Sequence, residues 1–99
     1  MADPVPVRHN AAASRYEAVV DGYLSVCEYE VVDNKMVFTH TLVPPELRGR
    51  GIAEQLVRMA LADARAAGRK VIPACAYVDV FIRGHREYAD LLAPESSGQ

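Results

Sequence analysis

The segment Arg48-Gly49-Arg50-Gly51-Ile52-Ala53 combines two glycines, two guanidinium groups and the opening of a helical pattern. It follows the apolar run Phe38 to Val43, so it sits at a strand-to-helix junction. These are the ingredients of an anion site. The first backbone amides of a helix point outward without partners, and the helix dipole concentrates partial positive charge there. Main chain alone can therefore hold a phosphate or pyrophosphate at such a place. Gly49 and Gly51 permit close approach and unusual dihedrals, while Arg48 and Arg50 add forked donors suited to phosphate oxygens. Two familiar phosphate motifs do not fit: a P-loop requires Gly-Lys-Ser/Thr after four intervening residues, and a dinucleotide fingerprint requires a third glycine where this chain has Glu54.

The elements that must position this turn are legible on both sides of it. Arg15 to Val20 alternates polar and apolar residues, with Tyr16, Ala18 and Val20 on one face, which predicts a half-buried strand. Asp21-Gly22 is a tight-turn signal, so Tyr23 to Val32 returns antiparallel. Asp33-Asn34-Lys35 supplies a second turn, and Met36 begins a third strand that runs to Val43. Pro44-Pro45 ends it, because neither residue can donate to a ladder. A helix over about Gly51 to Ala67 puts Ala53, Leu56, Val57, Ala60, Ala64 and Ala67 on one face, with Gly68 as its C-terminal stop. A short buried strand, Val71 to Ala74, comes next, then helical pieces over Tyr77 to Leu92 broken near Gly84. Residues 1–13 read as a flexible N-terminal arm, 14–92 as one folded domain and 93–99 as a flexible tail.

Ninety-nine residues suffice for one core but not two. Apolar runs are only a few residues long, and the start Met-Ala-Asp-Pro-Val-Pro-Val has neither a basic leader nor a hydrophobic segment. A cytoplasmic protein that does not enter membranes is expected. Cys27 and Cys75 are too few and too far apart to imply a disulfide framework or a zinc site. Net charge is −2, but residues 1–47 carry seven acids against three bases and residues 48–70 six bases against two acids. Either an anionic ligand meets the middle of the chain and a cationic one its first half, or the charges form an ordinary ion-paired surface. No lysine-rich patch or aromatic RNA-binding signature points to nucleic acid.

Arg48-x-x-Gly51-x-Ala53 fits Gln/Arg-x-x-Gly-x-Gly/Ala, the pattern that marks coenzyme A binding in the GNAT superfamily of N-acetyltransferases. Three antiparallel strands, a long helix opening at the motif and a further strand also resemble the GNAT core. Reading outward, His40-Thr41, Leu47 to Ile52, Leu56-Val57, Lys70 to Pro73, Cys75 to Val78, His85 and Glu87-Tyr88 resemble the small single-domain YjdJ-type subgroup, from about Ser14 to Leu92. The resemblance implies an α+β fold of GNAT type (three-layer α/β), with a mainly antiparallel sheet, a long central helix and a helical C-terminus.

It also implies an acetyl-CoA-dependent N-acetyltransferase acting on an amine, with acetyl-CoA as acyl donor. A non-catalytic acyl-CoA-binding module is the alternative, since so short a domain has little chain left for an amine pocket. By the family pattern, the strand backbone at Thr41, Leu42 and Val43 pairs with the pantetheine arm. The amides of Arg48, Gly49, Arg50, Gly51, Ile52 and Ala53 cradle the pyrophosphate. Transfer needs a base for the amine, and His40, Glu28 and Glu30 are the candidates, His40 because imidazole titrates near neutrality. Tyr88 and Tyr77 are available as general acid, or as packing aromatics. Cys75 could take the acetyl group first if a helix N-terminus or a histidine lowers its pKa; Cys27, inside a strand, reads as core.

Overall fold

The computed structural model describes residues 5–94. A five-stranded sheet of order β1-β2-β3-β4-β5 is built from β1 Arg8–Asn10, β2 Arg15–Val20, β3 Tyr23–Val32, β4 Lys35–Leu42 and β5 Lys70–Pro73. The first four strands are antiparallel neighbours, and β5 joins β4 in parallel. That parallel step needs a crossover, which α1 (Ile52–Ala66) provides. A second helix, α2 (Ala76–Gly84), follows β5, and a 3-10 stretch at Arg86–Leu91 closes the domain. The α+β architecture is the one expected.

The hairpin turns owe their form to residues that tolerate left-handed backbone. Asp21 and Gly22 have φ of 52° and 80°, and Asp33 and Asn34 have 51° and 62°. Positive φ at both central residues matches strand twist and keeps the hairpins tight. In α1 the alanine- and leucine-rich sequence favours helix, and Ile52, Leu56, Val57, Ala60, Leu61 and Ala64 are buried on the sheet. Ile52 and Leu61 join the expected face, whereas Ala67 is exposed at the C-cap. Gly68, with φ of 69°, lies just past that cap, where left-handed backbone ends a helix.

The expected flexible arm over residues 1–13 is corrected in part. Arg8–Asn10 pairs with β2, and His9 stacks on Tyr16 at 4.3 Å while its Nε2 lies 2.6 Å from the Tyr29 hydroxyl. Glu17 reaches back to Arg8, Asn10 and Arg15, and Val5 and Val7 pack on the core. The expected tail is corrected at its first residue, since Ala93 donates its amide to the Val71 carbonyl at 2.9 Å. The first residues of the arm, 1–4, and the last of the tail, 95–99, lie outside the described residues.

One irregularity decides which side chains reach the site. Glu28 pairs with His40 but Tyr29 pairs with Phe38, so Thr39 is an extra residue bulged out of β4. Strict alternation from buried Met36 and Phe38 would turn His40 toward α1 and Thr41 away. The bulge inverts this: Thr41 joins buried Cys27 on the core side, and His40 stands exposed on the other face.

Candidate functional site

A cleft of about 230 Å³ opens where β4 runs into α1, lined by Val43, Leu47, Arg48, Gly49, Gly51, Ile52, Ala53, Glu54 and Tyr77. Its floor is the glycine turn. Gly49 and Gly51 have φ of 84° and 76°, values that side-chain-bearing residues rarely adopt. Gly51 is the N-cap of α1 and offers no side chain to the first-turn amides, so these remain available to an anion. A β-carbon built on Gly49 meets no protein atom within 4 Å, leaving the approach to the turn open. Glu54 lies at the rim, but its carboxylate is engaged by Arg58 at 2.9 Å. Bare helical amides, left-handed glycines and an open approach together fit a pyrophosphate group.

The two arginines of the motif differ. Arg50 forms an ion pair with Asp21 of the β2–β3 turn at 2.7 Å, so its charge is partly engaged in joining two loops. The Arg48 Nε donates to the Val43 carbonyl at 3.4 Å, bridging the end of β4 to the turn. Further along, Arg58 pairs with Glu54 and Arg65 with Asp90. Much of the charge switch seen along the sequence is thus spent in such local pairs.

A second feature adjoins the cleft. β5 pairs with β4 only from Lys35↔Lys70 to Phe38↔Pro73, and the chain then leaves into α2. The Cys75 amide makes a last contact with the Phe38 carbonyl at 2.8 Å. Beyond it, among the described residues, no strand pairs with Thr39 to Leu42 on that side. The β4 edge is thus free past Phe38, with Cys75 beside Thr41 at its start and the cleft, lined by Val43 and Tyr77, at its end.

Cys75 is the N-cap of α2, half-buried, with its Sγ 3.4 Å from the Thr41 hydroxyl. Burial by itself pushes its thiol pKa up. The Thr41 hydroxyl and the nearby amides of Val78, Tyr77 and Thr41 outweigh that, and the pKa falls below the ordinary thiol value. Cys27, on the other side of Thr41, is fully buried and pushed up to about 12, mainly by burial. Both cysteines are free thiols, Cys27 buried and Cys75 partly exposed.

The remaining candidates separate into two places. His40 faces away from Cys75, exposed, with its Nδ1 3.5 Å from a Glu28 carboxylate oxygen. Tyr88 lies in the closing 3-10 stretch, where its hydroxyl accepts from Arg58 at 3.2 Å and its ring packs with Phe81 and His85. It does not line the cleft. Tyr77 does, and burial first, then the Glu54 charge, raise its phenol pKa and keep it protonated. Leu47, Glu54 and the Thr41 hydroxyl are further site residues that sequence reasoning missed. Position in the Pro44–Gly51 connection was the available signal for Leu47; none marked Thr41, whose orientation depends on the bulge.

A central helix crosses over from a bulged antiparallel sheet to a parallel strand, with an anion cradle at its start, and this defines an α+β domain built to hold a phosphate-bearing ligand. Residues 15–91 match the family model described as GCN5-related N-acetyl-transferase, and the chain belongs to that family. It is similar in structure to a GCN5-like putative N-acetyltransferase from Staphylococcus aureus, solved by NMR in solution, with 22% identity and a TM-score of 0.74. That likeness covers 93% of this chain and 91% of the other, and it concerns the fold. No curated protein matches the chain in sequence.

Proposed function

We propose that the chain is an acetyl-CoA-dependent N-acetyltransferase of the small single-domain YjdJ type, acting in the cytoplasm on an amine and needing neither nucleic acid nor membrane. The observation that carries this reading is the cradle at Gly49 to Ala53, which opens beside Val43 at the end of the free β4 edge. Acetyl-CoA supplies an activated thioester. The amides from Arg48 to Ala53 hold its pyrophosphate, and the main chain of Thr41, Leu42 and Val43 pairs with the extended arm as an added strand would. Tyr77, protonated and on the cleft wall, takes the general-acid role ahead of Tyr88, which does not line the cleft. His40 and Glu28 are placed to accept the proton of an amine arriving from the face of the sheet opposite α1.

A second route is favoured by the placement of Cys75, which is the N-cap of α2 and whose sulfur lies 3.4 Å from the Thr41 hydroxyl at the free β4 edge. In it the Cys75 sulfur forms a bond to the acetyl carbonyl carbon as the donor's carbon–sulfur bond breaks, and the thiol proton ends on the departing sulfur. The amine nitrogen then bonds to that carbon, the Cys75 carbon–sulfur bond breaks, and the amine proton passes to the departing Cys75 sulfur, restoring the thiol.

The test is to incubate the protein with acetyl-CoA and a panel of amines while following free thiol and acetylated amine. Amine-dependent thiol release supports the enzyme; cofactor binding with no turnover of any amine supports the binding-module alternative. Intact mass after acetyl-CoA alone separates the routes, because a single acetyl adduct absent from Cys75→Ala is required by the second and foreign to direct transfer.

A further inference from the structure

Thr41 occupies an unusual place between two thiols. Its hydroxyl lies 3.4 Å from the Cys75 Sγ and 3.9 Å from the Cys27 Sγ, and it faces them only because Thr39 is bulged out of β4. A hydroxyl carries one proton and can also accept, so it can serve either sulfur in turn. With Cys75 neutral, the Cys75 S–H donates to Oγ1 and the Thr41 proton points at Cys27. With Cys75 ionised, the same proton must swing to the thiolate. Cys27 does not compete for it as an anion, because burial keeps that thiol neutral.

Resting on the reading of Cys75 as the thiol that faces the acyl donor, we propose that Thr41 is its positioning residue: the side-chain hydroxyl fixes the Cys75 sulfur at the β4 edge and stabilises its thiolate. Among the described residues, the groups that act on Cys75 are otherwise uncharged. Phe38 and Thr41 approach from β4, Cys27 from β3, and Tyr77 and Val78 from α2, so Cys27 and Tyr77 are the ionisable neighbours and both have raised pKa values. Among the described residues, no histidine or lysine acts on the thiol. Hydrogen bonds must do so, and the hydroxyl of Thr41 supplies one that a single substitution can remove. This role is separate from the main-chain pairing proposed for Thr41, since a side-chain change leaves its amide in place.

The experiment is the pH profile of iodoacetamide alkylation of the full chain, with the modified residue located by peptide mass mapping. Thr41→Val keeps the shape of the side chain and removes the hydroxyl. Losing one hydrogen bond to a charged group should slow Cys75 alkylation at pH 7 by about tenfold and move the midpoint to higher pH. Thr41→Ser should restore the rate to within about twofold of the parent, which a role in packing alone would not produce. Circular dichroism verifies that both variants fold. A Thr41→Val profile that overlays the parent, or a Thr41→Ser variant as slow as Thr41→Val, would overturn the assignment. Because alkylation needs no acyl donor, a shifted profile in a protein that acetylates nothing would uphold Thr41 and count only against the enzymatic reading.

Discussion

Gly51→Glu perturbs the cradle at the point where backbone and charge requirements coincide. Gly51 is the N-cap of α1 with φ of 76°, so any side chain there meets the left-handed penalty of about 1–2 kcal/mol. Stability should fall by roughly that much, a loss a domain with about 5–15 kcal/mol in hand survives. Binding should suffer more. A carboxylate about 5 Å from a pyrophosphate charge costs roughly 3 kcal/mol at an effective dielectric constant of 20, or about two orders of magnitude in affinity. Gly51→Asn separates the two effects, since asparagine tolerates left-handed backbone and carries no charge. Titration calorimetry with coenzyme A should show at least a 50-fold weaker Kd for Gly51→Glu and a loss under about tenfold for Gly51→Asn. Unfolding curves check that both variants are folded. A Gly51→Glu protein that is folded and binds coenzyme A within threefold of the parent would refute the placement of pyrophosphate at this turn.

Three further outcomes follow from the same geometry. Arg8 above all, with Arg15 and Asn10, holds the Glu17 carboxyl at about 2 against an ordinary 4.5. A depressed carboxyl contributes stability that is fully present above the unfolded pKa and lost as pH falls through the folded one. Glu17→Gln should therefore lower the urea midpoint at pH 7, with the gap to the parent closing between about pH 4.5 and 2. His40→Gln should reduce kcat by about 100-fold with coenzyme A affinity unchanged, as expected for loss of a general base; unchanged kcat would assign the proton to Glu28 or water. Leu56→Ala removes a fully buried side chain from the first half of α1 and should cost about 2–5 kcal/mol by chemical denaturation, whereas a loss below about 1 kcal/mol would contradict the packing of α1 on the sheet.

Legibility of the fold tracked how local each cause was. Asp21-Gly22 and Asp33-Asn34 announce hairpins because the required positive φ is a property of those residues themselves. Pro44-Pro45 and the glycine turn likewise fix where β4 ends and α1 begins. Arg8–Asn10 carries no apolar alternation, so its strand is visible only once Glu17 and Tyr29 are in place to receive Arg8 and His9. The bulge at Thr39 is a property of the β3–β4 pair, which is why His40 was legible as a strand residue but its outward aim was not. Tyr77 and Tyr88 look alike in sequence, and only the direction of α2 brings the first to the cleft and leaves the second beside Arg58.

The central claim, that the turn at Arg48 to Ala53 and the free edge of β4 form one acyl-CoA site, is tested most directly by titrating coenzyme A into labelled protein and following backbone amide resonances. Saturable shifts are expected at Gly49, Gly51, Ile52 and Ala53, together with Thr41 to Val43 and Cys75. His9, Tyr16 and Tyr29, clustered around the β1 edge, should stay put. Saturable shifts centred anywhere else, or an unchanged glycine turn at saturating coenzyme A, would contradict it.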